Sequence, residues 1–310
     1  MTPRSGEAGS GHDGGARELP TRPGAYRWYY FDLVAGDVTA VCIFMIGSLF
    51  SPRYASRVKK GANPQAHSAI NFALYENRVP QQWVLSEYEQ VSLEKNTLRI
   101  GSSSLTWNDD GTIHVSISER TPVWGKPAQC EFEFCPEVRG ADAYQLVDGL
   151  PHFWHPYAPR GTAKLTLPLQ NRVLEGRGYH DGNHGETPLG TDLEGWDWSR
   201  THHVDSTHIT YRPWHDGVTP LQVAVTAEGV TSCRSHTDAP MTSRTRWGLP
   251  VPRSLSGLPT SLLESSPFYA RLEAGDASAH TVCEVADFKK FRSPLITWMA
   301  HFRTRVEAGR

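Results

Sequence analysis

A chain of 310 residues with 38% hydrophobic and 21% charged side chains has apolar material for two ordinary domains or one large β domain, which excludes global disorder. Its 31 basic residues are matched by 33 acidic ones, for a formal charge of -2, so no basic excess marks a nucleic-acid groove. The five cysteines (Cys42, Cys130, Cys135, Cys233 and Cys283) are odd in number and never spaced Cys-x-x-Cys, which argues against a disulfide framework or zinc knuckle and fits a reducing compartment.

Residues 1–23 are rich in Gly, Ser, Pro and charge and read as a disordered tail. They lack the apolar stretch behind a basic start that marks a secretory signal. The run 38–50, VTAVCIFMIGSLF, is the most apolar segment. It falls short of the ~20 residues a spanning helix needs, and its β-branched and aromatic content predicts a buried strand ending at Gly47. Short strands are expected at 83–85, 97–100, 112–118, 130–134, 163–167, 208–212, 221–226 and 280–285. Asp109-Asp110-Gly111 and Asp216-Gly217 are hairpin-turn signals between such runs. Many short strands with regular turn signals predict an all-β sandwich or barrel. Ten tryptophans suit β cores and apolar pockets. The Pro-rich stretch ending at 159–161 suggests a boundary, and 250–259 reads as a long loop. The segment 288–310 mixes Lys and Arg with Phe291, Leu295, Ile296, Trp298, Met299 and Phe302. It predicts a short amphipathic helix after Pro294, packed on a barrel end or touching an anionic membrane surface.

Two segments concentrate chemically useful side chains: His152-Phe153-Trp154-His155-Pro156, and Gly178-Tyr179-His180-Asp181-Gly182-Asn183-His184-Gly185 followed by Trp196-Asp197-Trp198-Ser199-Arg200. Strand residues two apart share a face, so His152 goes with Trp154 and Tyr179 with Asp181. A carboxylic acid donates protons near neutrality only if an apolar site lifts its pKa from ~4. Tyr and His can orient and relay that proton, and an indole face steadies a cation. The set suits protonation of an unactivated alkene. The same Gly-rich segment is equally readable as a bulged turn in which Asp181 satisfies backbone N–H groups. His180 and His184 with Asp181 resemble metal ligands, as do His152, His155, His202 and His203, but the glycines argue for a turn and no HExxH pattern occurs, so no metal is expected. No G-x-S-x-G elbow, P-loop or G-x-G-x-x-G element is present, and Ser102, Ser103 and Ser104 have no nearby base.

Over nearly all of 44–303 the chain resembles the carotenoid 1,2-hydratases, also called hydroxyneurosporene synthases. The resemblance rests on GSLFSPRYASR at 47–57, NFALY at 71–75, LRIGSSSLTW at 98–107, HFWHPYAPR at 152–160, GRGYHDGNHGETPL at 176–189, WDWSR at 196–200, SPFYAR at 266–271 and FRSPLI at 291–296. It implies a lipocalin-like, AttH-like fold of two β-barrel or β-sandwich domains, at 24–161 and 162–310, with a short C-terminal helix. It also implies a hydro-lyase that adds water across the terminal C1–C2 double bond of acyclic carotenoids of the lycopene and neurosporene type, with no cofactor. Asp181 corresponds to the family's acid, grouped with Tyr179, His152 and Trp154. Trp196 and Trp198 would join Trp154 against the carbocation, and Tyr54, Phe268 and Tyr269 would line a polyene channel. The partners implied are the carotenoid, water and a peripheral membrane contact, at a cytoplasmic location on the inner photosynthetic membrane. A pericyclase or isomerase on a similar scaffold, or a non-catalytic lipid carrier, is the alternative.

Overall fold

The first strand, β1 (Tyr26–Ala35), is buried along almost its whole length on both faces, and that double burial organises the molecule. The computed structural model describes residues 18–140, 142–236, 241–276, 278–291 and 293–307. After β1 come β2 (Val38–Ile46), the short helix α1 (Pro52–Arg57), β3 (Ser68–Glu76), β4 (Val79–Tyr88), β5 (Val91–Glu94), β6 (Thr97–Ile100), β7 (Ser103–Trp107), β8 (Ile113–Arg120), β9 (Pro127–Val138), β10 (Tyr144–Gln145), β11 (His152–Leu167) and β12 (Arg172–Gly185). These strands form one curled sheet in the order β4-β3-β2-β1-β12-β11-β9-β8-β7-β6-β5, with β10 beside β11.

The second sheet begins with β13 (Gly195–His203), β14 (Thr207–Pro213), β15 (Leu221–Thr226) and β16 (Gly229–Arg234). Four two-residue strands follow, β17 (Ser243–Arg244), β18 (Pro250–Val251), β19 (Ser254–Leu255) and β20 (Leu258–Pro259), then β21 (Ser261–Ser265), β22 (Tyr269–Gly275) and β23 (Ala279–Asp287). Its order is β16-β15-β14-β13-β23-β22-β21. Helices α2 (Phe288–Phe291) and α3 (Pro294–His301) lead to β24 (Arg305–Glu307), which returns to the first sheet and pairs parallel with β4.

Burial patterns report what covers each strand. In β8, IHVSISER, apolar and polar residues alternate because only one face is covered. In β1 and β2 the curled interior takes Phe31, Leu33, Cys42 and Phe44, while the opposite face packs Tyr26, Trp28, Tyr30 and Met45 toward the second sheet. The far face of the second sheet, with Leu272, Cys283 and Val285, is covered by Leu249, Val251 and Leu255 from the 241–260 segment. Gly47 ends β2 in a left-handed conformation at φ +66°, with its amide bonded to Pro64 O.

The all-β expectation holds, as one curled sheet facing a second sheet. The expected boundary at 161/162 falls inside β11; the chain passes to the second sheet between Gly185 and Gly195 and returns to the first only at β24. Pro156 and Pro159 signal a linker in sequence but here break the β11–β12 ladder into register shifts within a continuous strand. Gly161 sits beside these shifts because a Cβ would lie 2.6 Å from Cys135 O and 2.8 Å from the Phe134 ring. Of the expected tail, 1–17 lies outside the described residues, while Leu19 packs on the core and Pro20 O accepts from Gln65 Nε2. The 250–259 loop carries the small β18–β20 pairings. Among the described residues no helix is long and apolar enough to cross a membrane.

Candidate active site

β12 sorts its side chains by parity. Tyr179, Asp181 and Asn183 face the layer between the sheets. His180 faces the curled interior, stacked on Phe31 at 3.9 Å, and its Nδ1 meets Tyr30 O at 2.9 Å. Burial pushes His180 down to about 3. His184 stacks on Phe153 at 5.1 Å. The strand therefore separates Asp181 from both histidines that flank it in sequence. Among the described residues, no group of His, Cys, Asp or Glu is placed to hold a metal ion.

Asp181 is buried and receives two neutral donors on one oxygen. Trp154 Nε1 donates to Oδ2 at 2.6 Å, and Tyr179 OH donates to the same atom at 2.7 Å. Tyr179 reaches it as the same-face neighbour two residues away. Trp154 pairs in register with Asn183 and crosses diagonally to Asp181, a reach that long side chains have across a ladder. Burial pushes the Asp181 carboxyl up to about 7; the two hydrogen bonds oppose the rise, and the charges of Glu284 and Asp32 add to it. Burial, and then the Asp181 charge, hold the Tyr179 phenol well above its usual range. In the neutral acid Oδ2 acts as the carbonyl oxygen that accepts both bonds, which leaves Oδ1 to carry the proton.

Asp181 opens on a cavity of about 300 Å³ between the sheets. Trp28, Tyr30, Asn183, Trp196, Trp198 and Tyr211 surround the acid's end of it. Trp198 lies 5.9 Å from Tyr30 and 5.4 Å from Tyr179, and Trp28 lies 5.7 Å from Trp196, centroid to centroid. Asn183 Nδ2 donates to Tyr211 OH at 3.0 Å. Phe268 and Tyr269 line the cavity further out, against Phe50. Two further carboxyls face it, Glu264 and Glu284, both raised above the usual range by burial. Arg271 Nη1 donates to Glu284 at 2.5 Å and to Tyr30 OH at 2.8 Å. Exposed Arg303 and partly exposed Trp247 mark where the cavity meets solvent.

The structure brings most of the sequence-derived set together, and three placements differ. Trp154 is fully buried behind the acid, flanked by Tyr144 at 5.7 Å and Tyr211 at 5.5 Å. It is an N–H donor to Asp181 and not a wall of the cavity, so the indole rings that line the cavity beside Asp181 are Trp28, Trp196 and Trp198. His152 pairs with Gly185, four residues along β12 from Asp181 or roughly 13 Å at the rise of a strand. Its Nδ1 meets Tyr26 OH at 3.0 Å and its Nε2 meets Asp192 Oδ1 at 2.7 Å. Tyr26 in turn stacks on Trp28 at 5.0 Å, so His152 braces the aromatic wall. Tyr54 turns inward from α1 to donate to Ala25 O and accept from Gly24 N, away from the cavity.

The sequence profile of the family described as carotenoid hydratase CrtC matches residues 42–309. The chain belongs to the carotenoid hydratase family. An acyclic carotenoid 1,2-hydratase of Thiocapsa roseopersicina is 30% identical over 303 residues, covering 92% of this chain and 74% of its own length. One from Rubrivivax gelatinosus is 29% identical over 278 residues, covering 82% of this chain and 66% of its own length. Among solved structures, a Nitrosomonas europaea protein assigned to AttH has the same fold at 11% identity, with a TM-score of 0.52 over 84% of this chain and 91% of its own. As a member of this family, the chain is an enzyme of the hydratase class.

Several residues that line this cavity lie outside the sequence-derived set: Trp28, Tyr30, Asn183, Tyr211, Glu264 and Glu284. Asn183 was within reach, because it continues the Tyr179–Asp181 parity. The others come from strands whose apposition no local pattern encodes.

Proposed function

We propose that this protein hydrates the terminal C1–C2 double bond of an acyclic carotenoid, with Asp181 as the acid. The observation that carries the reading is the asymmetry of the Asp181 carboxyl. Both internal donors bind Oδ2 and not Oδ1, the residue lines the cavity, and burial raises the carboxyl's pKa to about 7. Relatives named acyclic carotenoid 1,2-hydratase supply the substrate class.

The Oδ1–H proton adds to C2, and the alkene electron pair forms the new C–H bond. The tertiary cation left at C1 lies against the Trp28, Trp196 and Trp198 rings, whose electron-rich faces attract positive charge by ~2 kcal/mol or more when desolvated. Water adds at C1, and the oxonium loses its excess proton to the Asp181 carboxylate. The product is the tertiary alcohol and the acid is restored. Tyr179 and Trp154 hold Oδ2 throughout and stabilise the carboxylate while it exists. Asn183 and Glu284 supply polar atoms within the same cavity to orient the water. Every step is a proton transfer or an addition, so this route uses no cofactor. The outer cavity, with Phe50, Phe268 and Tyr269, receives the polyene.

The test is incubation of purified protein with lycopene or neurosporene in heavy-oxygen water. A product heavier by one labelled water, with the label in the hydroxyl, is expected. Isomerised or cyclised product of unchanged mass would point to a pericyclase or isomerase, and binding without turnover to a carrier.

A further inference from the structure

Helix α3 has two faces with different surroundings. Ile296, Met299, Ala300 and Arg303 recur at the i, i+3, i+4, i+7 spacing of one helical face and line the cavity. Leu295, Trp298 and Phe302 share a second face, about a third of a turn round, and are 63%, 60% and 61% exposed. Trp298 and Phe302 are held edge to face at 4.6 Å. A second exposed apolar pair stands close by. The β8–β9 turn carries Val123 and Trp124, 74% and 80% exposed, and a Cβ on Gly125 in that turn would lie 3.8 Å from Arg305 Nη1 of β24. Three large aromatics and two aliphatics thus stand in water around one end of the molecule, where isolated exposed residues are ordinary but a cluster is not. Basic residues surround them: Lys126 in the turn, Arg303 and Arg305 after α3, and Arg57, Lys59 and Lys60 at the end of α1, which packs beside α3.

We propose that the outer face of α3 and the β8–β9 turn form a docking surface for an anionic lipid bilayer. Trp and Phe enter the headgroup boundary, and the basic rim pairs with lipid phosphates. A bilayer fits better than a second protein chain because the exposed aromatics stand on two separate elements within a mainly basic rim, in which Arg305 pairs with Glu307 and Arg53 with Glu89 while Arg57, Lys59, Lys60 and Lys126 add further positive charge. The opposite face of the same helix lines the cavity, so a docked molecule holds the cavity mouth at the lipid surface and an apolar substrate passes in without crossing water. That last link rests on the carotenoid reading; the docking does not.

The experiment is co-sedimentation of the full chain with vesicles of phosphatidylcholine, with and without phosphatidylglycerol. The wild type binds vesicles containing phosphatidylglycerol, and raising the ionic strength weakens binding. The double variant W298S/F302S partitions about tenfold or more weakly, with unchanged melting temperature and unchanged turnover of detergent-dispersed carotenoid. Trp124→Ser gives a smaller loss of the same kind. Absence of wild-type binding, or equal binding by the double variant, overturns the proposal. So does a wild-type dimer that W298S/F302S converts to monomer, which would make this face a subunit interface. Vesicle binding without any hydration in detergent leaves the docking intact and removes the hydratase reading.

Discussion

Asp32 and Asp181 occupy neighbouring strands and face the same buried layer, yet the fold treats them oppositely. In register Asp32 stands beside Tyr179, and Asp181 beside Tyr30. Asp32 is fully buried and meets a cation: Arg200 Nη1 lies 2.5 Å from its Oδ1, and Tyr30 OH donates to Oδ2 at 2.9 Å. Asp181 meets only neutral donors, Trp154 and Tyr179, and opens on an aromatic cavity. One carboxyl is an ion-paired tie between the sheets; the other is the acid of the proposed mechanism. The difference lies in the partner and not in burial, because desolvation without a countercharge favours the protonated form.

The sharpest way to break this contrast is Asp181→Asn. The amide oxygen keeps both accepted bonds but no proton remains to donate. Hydration should fall by about 10²–10⁴-fold, the range for a lost general acid, while carotenoid binding persists; retained turnover in the mass assay would remove Asp181 from the chemistry. Next in size, Arg200→Met should destabilise the fold by ~3–5 kcal/mol in denaturant titrations, because it strands a buried carboxylate. A loss below about 1 kcal/mol would mean that the Asp32–Arg200 pair is no tie.

The same Asp181→Asn variant also tests burial through pH. The wild-type acid has a folded pKa of about 7, above its unfolded value, so its contribution to stability is greatest in acid and declines as pH rises through that folded value. The amide does not titrate. Asp181→Asn should therefore gain stability relative to the wild type with rising pH, up to about 4 kcal/mol above pH ~8, and little near pH 4. Parallel melting curves at the two pH values would show an ordinary, solvated carboxyl. The smallest effect is expected from Tyr179→Phe. Removing one donor to Oδ2 raises the acid's pKa further, so the alkaline limb of the pH–rate profile should move up by roughly half to one unit. A downward shift would reverse the role assigned to Tyr179.

Sequence patterns revealed the fold where one strand face is covered and the other is wet. The expected strands at 97–100 and 221–226 coincide with β6 and β15, and the Asp-Gly pairs at 110–111 and 216–217 fall in strand connections. β1 gave no such signal, because covering both faces removes the alternation and Asp32 interrupts the apolar run. With β1 went Tyr26, Trp28 and Tyr30. The Tyr179–Asp181 parity was readable because it lies within one strand. The Trp154–Asp181 bond depends on strand register, and the approach of Glu264 and Glu284 depends on how two sheets face each other, neither of which local spacing records. His152 shares the parity of Trp154 but pairs too far along β12 to reach the acid. Tyr54 lay within a strong motif, yet α1 turns it to tie down the backbone before β1.

The placement of both donors on Oδ2 also bears on handedness. A carboxylic acid that tumbles can deliver hydrogen to either side of a flat alkene. Here Trp154 and Tyr179 hold one oxygen, and on the proposed mechanism the acidic hydrogen leaves from the other. If the cavity holds the alkene in one orientation, the proposed mechanism then places deuterium taken up from heavy water at a single prochiral position at C2, and these two hydrogen bonds leave a stereochemical record in the alcohol.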